Sequence, residues 1–392
     1  MSRVGRLALF AAVIATGAPI VVFAIGLSLA PQPTDFMCFW AGADLVARGR
    51  DPYDPATWAA AVDGLFANWL GLPRRPPCPG GYAYPLWTAV ATLPLGVLGV
   101  RVAALVWMVL LLGGMGFGIV FLARGFGLER RRALLFAAIT LGSQPAWLTA
   151  LTSQYGGVDL LALGVLSLPG TAIRPARVSL GLLLLLLKPH IAPLVVLERA
   201  RSVAPRALAV TVAAGSALLV GSLLAQPAWP AKWLNEILGH RSEMAATSPT
   251  LYGFVRWAGG GAALAVATSV AAAAAFALAL RGRDLRLPGD RIAVAAVAGL
   301  LVIPYISSGD AIVLAVAWCA ILRRATARSV GLVVALIAVA DILPWALYAL
   351  RDPLVQPGDV RNALVLPVTA ALLAIVLRRP AVAARMTAFT DR

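Results

Sequence analysis

Apolar runs recur along this sequence from end to end, at 7–30, 84–98, 102–123, 133–150, 157–170, 178–197, 207–225, 253–280, 291–304, 311–322, 329–349 and 362–377. A stretch of about 20 apolar residues spans the roughly 30 Å of hydrocarbon in a bilayer. In lipid every backbone N–H and C=O must find its partner within the protein, so spanning segments are helices or closed barrels. The length of the runs selects helices. The expectation is an all-α integral membrane protein: one polytopic domain over residues 1–392, with about ten to twelve transmembrane helices. Composition agrees, since the 392 residues are 60% hydrophobic and only 13% charged.

The formal net charge of +16 does not point to nucleic acid, because the basic residues fall in short loops between apolar runs. Cytoplasmic loops of membrane proteins collect Arg and Lys, and a bacterial inner membrane is the expected location. The apolar part of run 7–30 is longer than the roughly 7–15 residues of a secretory signal core, so it reads as an uncleaved first helix entering from the cytoplasm. If all twelve runs cross, segments 198–206, 281–291, 323–328 and 378–392 lie inside, but the Arg-bearing segments 124–132 and 171–177 fall outside. The conflict vanishes if 84–98 and the run interrupted by Lys188 dip without crossing. That leaves ten crossings.

Two long polar stretches lie outside under either topology. In the first, 31–83, residues 35–48 and 55–70 carry apolar side chains at helical spacing and read as amphipathic helices on the membrane surface. In the second, 226–252, Trp229, Trp233 and Leu234 give the same reading. Cys38 and Cys78 both fall in the first stretch, as a disulfide or as two separate thiols, while Cys319 lies in an apolar run.

Ionisable residues at membrane depth are costly and need a reason. Asp35 follows the first run directly, either as a partly desolvated general base or as the cap of the next helix. Lys188-Pro189-His190 interrupts a leucine run. The lysine there either meets a phosphate or snorkels from a helix end, and Arg256 offers the same two readings. Gln154-Tyr155-Gly156-Gly157, followed by Asp159, breaks another run; its amide and hydroxyls suit either a sugar or the ends of helices. Asp310, after Ser307-Ser308-Gly309, binds sugar hydroxyls, orients a cation or caps a helix. His190 and His240 are too few and too separated for a metal site, and the sequence has no P-loop, dinucleotide fingerprint, nucleophile elbow or zincin motif.

In order along the chain, Asp35-Phe36, Trp40-Ala41-Gly42, Gly49-Arg50-Asp51-Pro52-Tyr53-Asp54, Tyr84-Pro85-Leu86, Gln154, Lys188-Pro189-His190, Ser248 to Arg256 and Pro304-Tyr305 to Asp310 resemble the motifs of glycosyltransferase family 87. The resemblance covers about residues 30–320. That family holds polyprenol-phosphate-mannose-dependent α-mannosyltransferases of the GT-C membrane fold. Where some relatives carry a Trp followed by histidines, this chain has Ser307-Ser308-Gly309-Asp310.

The resemblance implies an inverting transfer of mannose or another hexose from a polyprenyl-phosphate carrier. The acceptor hydroxyl belongs to a lipid or glycan on the extracytoplasmic face. Asp35 would be the general base. Lys188, His190 and Arg256 would meet the donor phosphate, and Tyr53, Gln154 and Asp310 would surround sugar or acceptor. No metal or other cofactor is implied, and the partners are substrates and membrane lipids. The alternatives are a multi-pass transporter or lipid flippase, which calls for polar residues along a path at the midplane and repeat symmetry, and a non-catalytic membrane scaffold.

Overall fold

The computed structural model describes residues 35–67, 81–152, 154–170, 174–191, 193–246, 248–283, 285, 287–325, 330–349 and 360–378. The first apolar run, Cys78 and the C-terminal Arg-bearing segment lie outside these residues. Among them the chain is helical, with no strand. In order the helices are α1 (Asp35–Ala47), α2 (Pro55–Ala67), α3 (Leu86–Ala91), α4 (Leu93–Gly96), α5 (Val100–Gly125), α6 (Arg130–Gly142), α7 (Gln144–Thr152), α8 (Gly156–Ser167), α9 (Pro175–Leu186), α10 (Pro193–Ser202), α11 (Pro205–Ala225), α12 (Trp229–Ala245), α13 (Leu251–Trp257), α14 (Ala262–Ala279), α15 (Pro288–Val302), α16 (Ala315–Arg324), α17 (Val330–Ile337), α18 (Leu343–Ala349) and α19 (Val365–Leu377). Turns of 3-10 helix at Ser308–Leu314 and Val360–Leu364 lead into α16 and α19, and a π turn at Ala338–Ile342 joins α17 to α18.

By length and composition, four of the described spans can cross a membrane unaided: α5, α11, α14 and Val360–Leu377. The bent pair α6–α7, with 60° between its halves, makes a fifth. The other apolar runs are built from shorter pieces. Run 84–98 is the two short helices α3 and α4, far too short to cross. Run 178–197 breaks between α9 and α10 at Lys188-Pro189-His190. Both are the segments that dip in the ten-crossing alternative.

Contacts at the helix ends sort the loops. Arg132 Nη1 donates to Arg323 O at 3.0 Å, Arg324 pairs with Asp290, and Arg291 Nε lies 2.7 Å from Glu198 Oε1. Segments 124–132, 198–206, 281–291 and 323–325 therefore share one end of the bundle. Helices α5 and α8 run parallel, since Gly114 lies against Gly157, Gly118 against Leu160 and Gly125 against Ser167. The loop after α8 thus returns to the same Arg-bearing end. At the opposite end Lys232 pairs with Asp51, and Trp233 Nε1 donates to Ala83 O at 3.0 Å.

Helix α5 stops by a Schellman turn. Leu128 N donates to Ala123 O at 2.9 Å and Gly127 N to Arg124 O at 3.0 Å, with Gly127 at φ 63°, the left-handed region that glycine enters freely. Small residues let α5 and α8 approach backbone to backbone, a common solution where lipid is as apolar as the side chains.

Helix α1 departs from its surface reading. Phe36, Met37, Cys38, Phe39, Ala41, Gly42, Ala43 and Leu45 are all buried, so apolar side chains surround the helix and it packs inside the protein. Phe36 and Phe39 meet Trp107, and Phe39 also meets Tyr155, while Met37 and Leu45 belong to a second cluster with Trp58, Val62, Tyr82 and Trp229. Helix α2 keeps the amphipathic pattern, with Trp58, Val62 and Leu65 buried in that cluster. Cys38 is disulfide-bonded, and Cys319 is a buried free thiol.

A Cβ added at Gly118 would sit 2.6 Å from the Leu160 carbonyl carbon, whereas one added at Gly116 meets nothing within 4 Å. Gly118→Ala is expected to push α5 from α8 and cost about 1–3 kcal/mol. Gly116→Ala is expected to be neutral or to stabilise by up to about 1 kcal/mol through helix propensity. Thermal unfolding of both variants in detergent checks the contrast; equal effects would contradict the close packing.

Candidate active site

A cavity of about 400 Å³ opens near the end of the bundle away from the arginine cluster. It is lined by Asp35, Ala83, Tyr84, Pro85, Lys188, Pro189, His190, Trp233, Ile237, Ile303, Pro304, Tyr305 and Ser307. Interruptions of helix at 81–85, 187–191 and 303–307 meet there. Backbone freed from helical bonding at membrane depth must be satisfied by other groups, and each interruption shows which groups do this.

At the second interruption Pro189 has no N–H and disfavours helix at Lys188, so α9 ends at Leu186 with open carbonyls. Trp87 Nε1 donates to Leu186 O at 2.9 Å and Thr88 Oγ1 to Leu187 O at 2.8 Å, so the short helix α3 caps α9. At the first, Tyr53 Oη donates to Tyr84 O at 2.6 Å. Burial pushes the Tyr53 hydroxyl well above the ordinary phenol range, which keeps it a donor.

The third is held residue by residue. Thr250 Oγ1 donates to Pro304 O at 3.0 Å. Ser248 Oγ donates to Ile306 O at 2.7 Å and accepts from Ile306 N at 2.8 Å. Ser307 Oγ donates to Gln154 Oε1, and Thr149 Oγ1 donates to Gly309 O at 3.0 Å. Asp310 closes a capping box on Ser307, accepting from Ser307 N at 2.9 Å through Oδ2.

The other oxygen of Asp310 accepts from Lys188 Nζ at 2.6 Å. The pair is buried, with the two side chains 4% and 0% exposed, and Lys188 borders the cavity. Lys188 also feels Asp35 and Asp159. Asp159, on the first turn of α8, is buried, and neither carboxylate oxygen takes a hydrogen bond.

Of the expected site residues, Asp35, Lys188 and His190 line the cavity. Gln154 stands behind Ser307, and Tyr53 behind Tyr84. Asp310 is also behind the wall, where it orients a cation and caps a helix, two of its three sequence readings; its oxygens are engaged by Lys188 and Ser307 rather than turned to the cavity. Arg256 is not brought in. It is exposed in the last turn of α13, whose buried face is Leu251 and Gly253. The side chain of His240 lies outside the described residues.

Sequence reasoning missed the aromatic wall. Tyr84, Trp233 and Tyr305 line the cavity, and Tyr305 lies 6.2 Å, ring to ring, from His190. The signal was present in the first and last, each beside a proline in a motif, whereas Trp233 looked like an interfacial anchor. Among the described residues no group of His, Cys, Asp and Glu forms a metal-ligand set.

The glycosyltransferase family 87 model matches residues 82–304, more than half of the chain. The chain belongs to glycosyltransferase family 87. No curated protein and no solved structure matches it. The matched stretch of this membrane glycosyltransferase holds Tyr84, Gln154, Lys188, His190 and Trp233, while Asp35 and Asp310 flank it on either side. A carboxylate and an ammonium lining one cavity can respectively take a proton and stabilise developing negative charge; the aromatic and proline surfaces around them suit an apolar or sugar-bearing ligand.

Removing one partner of a buried ion pair typically costs about 3–5 kcal/mol, because the other charge is left uncompensated. Lys188→Met and Asp310→Asn are each expected to lower the unfolding temperature in detergent, and the double variant to recover part of the loss. A double-mutant cycle checks this; strict additivity would mean the two residues are not coupled.

Proposed function

We propose that this enzyme transfers a hexose, with mannose the sugar the family resemblance favours, from a polyprenyl-phosphate carrier to a hydroxyl of a lipid or glycan acceptor, by the GT-C type of mechanism. Asp35 takes the proton of the acceptor hydroxyl as its oxygen attacks the anomeric carbon. The bond from that carbon to the phosphate oxygen breaks, and polyprenyl phosphate leaves. Lys188 stabilises the charge on the departing phosphate, with His190 beside it. Attack opposite the leaving group gives inversion at the anomeric carbon.

The observation that carries this reading is that Asp35 and Lys188 line one cavity, with Lys188 paired to Asp310. An ammonium has three donors; Asp310 uses one, which leaves capacity for a phosphate. Orientation follows from charge. The arginine-bearing loops gather at the end away from the cavity, and such loops stay cytoplasmic, so the reaction belongs on the extracytoplasmic face of a bacterial inner membrane. No metal or cofactor enters the scheme.

The test is transfer by wild-type and Asp35→Asn membranes at matched expression, with radiolabelled polyprenyl-phosphate hexoses and native lipid extract. Loss of a general base typically costs about 10²–10⁴-fold in rate, and a drop of that size is expected. Equal transfer by the two would leave Asp35 as a helix-starting residue and move the base elsewhere.

A further inference from the structure

Against the 3-10 helix Ser308–Leu314, along Ser308, Ala311 and Leu314, lies a separate void of about 20 Å³. The start of α7, the 3-10 helix, α16, the π turn and the segment leading into α19 enclose it, through Gln144, Ser308, Trp318, Ala340 and Asn362 among others. Four of the residues lining it each carry a polar atom that, among the described residues, has no hydrogen bond: Gln144 Nε2, Ser308 Oγ, Trp318 Nε1 and Asn362 Oδ1. Those residues are 1%, 8%, 0% and 8% exposed, so none of the four reaches bulk solvent or lipid headgroups.

The chemistry of the four atoms is constrained. Asn362 Nδ2 already donates to Gln144 Oε1 at 2.9 Å. That bond orients both amides and leaves Gln144 Nε2 as a donor and Asn362 Oδ1 as an acceptor. The Trp318 indole can only donate, and the Ser308 hydroxyl can accept. The residues that line the void therefore supply two donors and two acceptors. A water molecule presents the complement, two lone pairs and two hydrogens. A void needs about 10–15 Å³ of this kind of volume to hold one water, which in buried sites typically makes about three hydrogen bonds. Among the described residues no carboxylate lines the space, which does not favour a cation there.

We propose that this void is a structural water site. The water accepts from Gln144 Nε2 and Trp318 Nε1 and donates to Asn362 Oδ1 and Ser308 Oγ. It joins α7, the continuous 3-10 helix and α16, and the segment leading into α19, and it braces the 3-10 helix that holds Asp310 against Lys188. It gives a reason for Gln144 and Asn362 inside apolar surroundings, which the reaction itself does not use. The proposal stands whether or not the donor is a polyprenyl phosphate.

The experiment is a structure of the full chain in lipid nanodiscs or crystals, at a resolution of about 2 Å where buried waters are visible. The expected result is a single peak in the void, within about 2.7–3.2 Å of at least three of the four atoms. Ser308→Ala is expected to retain the peak on the three remaining partners, and Gln144→Leu with Asn362→Leu to lose it. An empty void in a wild-type map that shows other buried waters would overturn the proposal. So would direct pairing of the four atoms with one another, or a peak with the coordination distances of a metal ion. If the double variant does not fold, the wild-type map decides alone.

Discussion

Lys188 and Asp310 form the interaction around which the cavity is arranged. A lysine and an aspartate 2.6 Å apart, with side chains 4% and 0% exposed, are each expensive to bury alone, and the pair repays that expense only when its geometry is fixed and the remaining lone pairs are used. Here the second oxygen of Asp310 takes the Ser307 N–H. One carboxylate thus does two things. It holds the ammonium at the cavity wall, and it folds the 303–310 segment into a capped 3-10 turn.

That turn is one of the interruptions of helix that meet at the cavity, and the interruptions depend on one another. Trp87 and Thr88, on the short segment that follows the first interruption, cap the carbonyls freed by the second. Ser248 and Thr250, at the end of the polar stretch 226–252, hold the third. The site therefore rests on non-helical backbone within an apolar bundle, which is tolerated in a membrane protein only where protein groups or a cavity satisfy it. Elsewhere the bundle is ordinary small-residue packing, as in α5 against α8. The chain concentrates its irregular backbone where its polar chemistry lies.

Much of this was legible in the sequence. The apolar runs gave the helical membrane class, and the Arg distribution raised 84–98 and the Lys188 run as dips without deciding between ten and twelve crossings, because charge sidedness is a long-range constraint that local pattern alone does not resolve. Lys188, His190 and Asp35 were legible because a charge in or beside an apolar run needs a partner. The partner was not legible. Asp310 is 122 residues from Lys188, and only folding brings the two together. Helix α1 misled for a similar reason: its aromatic residues suit a membrane surface as well as a core, and the deciding contacts, Trp107 and Tyr155, come from distant helices. Arg256 illustrates the converse, since a cation beside an apolar run is equally at home on an exposed helix end.

Binding and proton removal are assigned to different residues lining one cavity, so they should separate. The most direct measurement is equilibrium binding of a radiolabelled polyprenyl phosphate to purified wild type, Asp35→Asn and a folded Lys188→Met variant. Asp35→Asn is predicted to bind within a few-fold of wild type. Lys188→Met is predicted to bind at least about tenfold more weakly, the loss of roughly 1.4 kcal/mol or more expected when a charge-assisted contact to phosphate is removed. Unchanged binding in folded Lys188→Met, with binding lost instead in Asp35→Asn, would contradict the assignment of Lys188 to the phosphate.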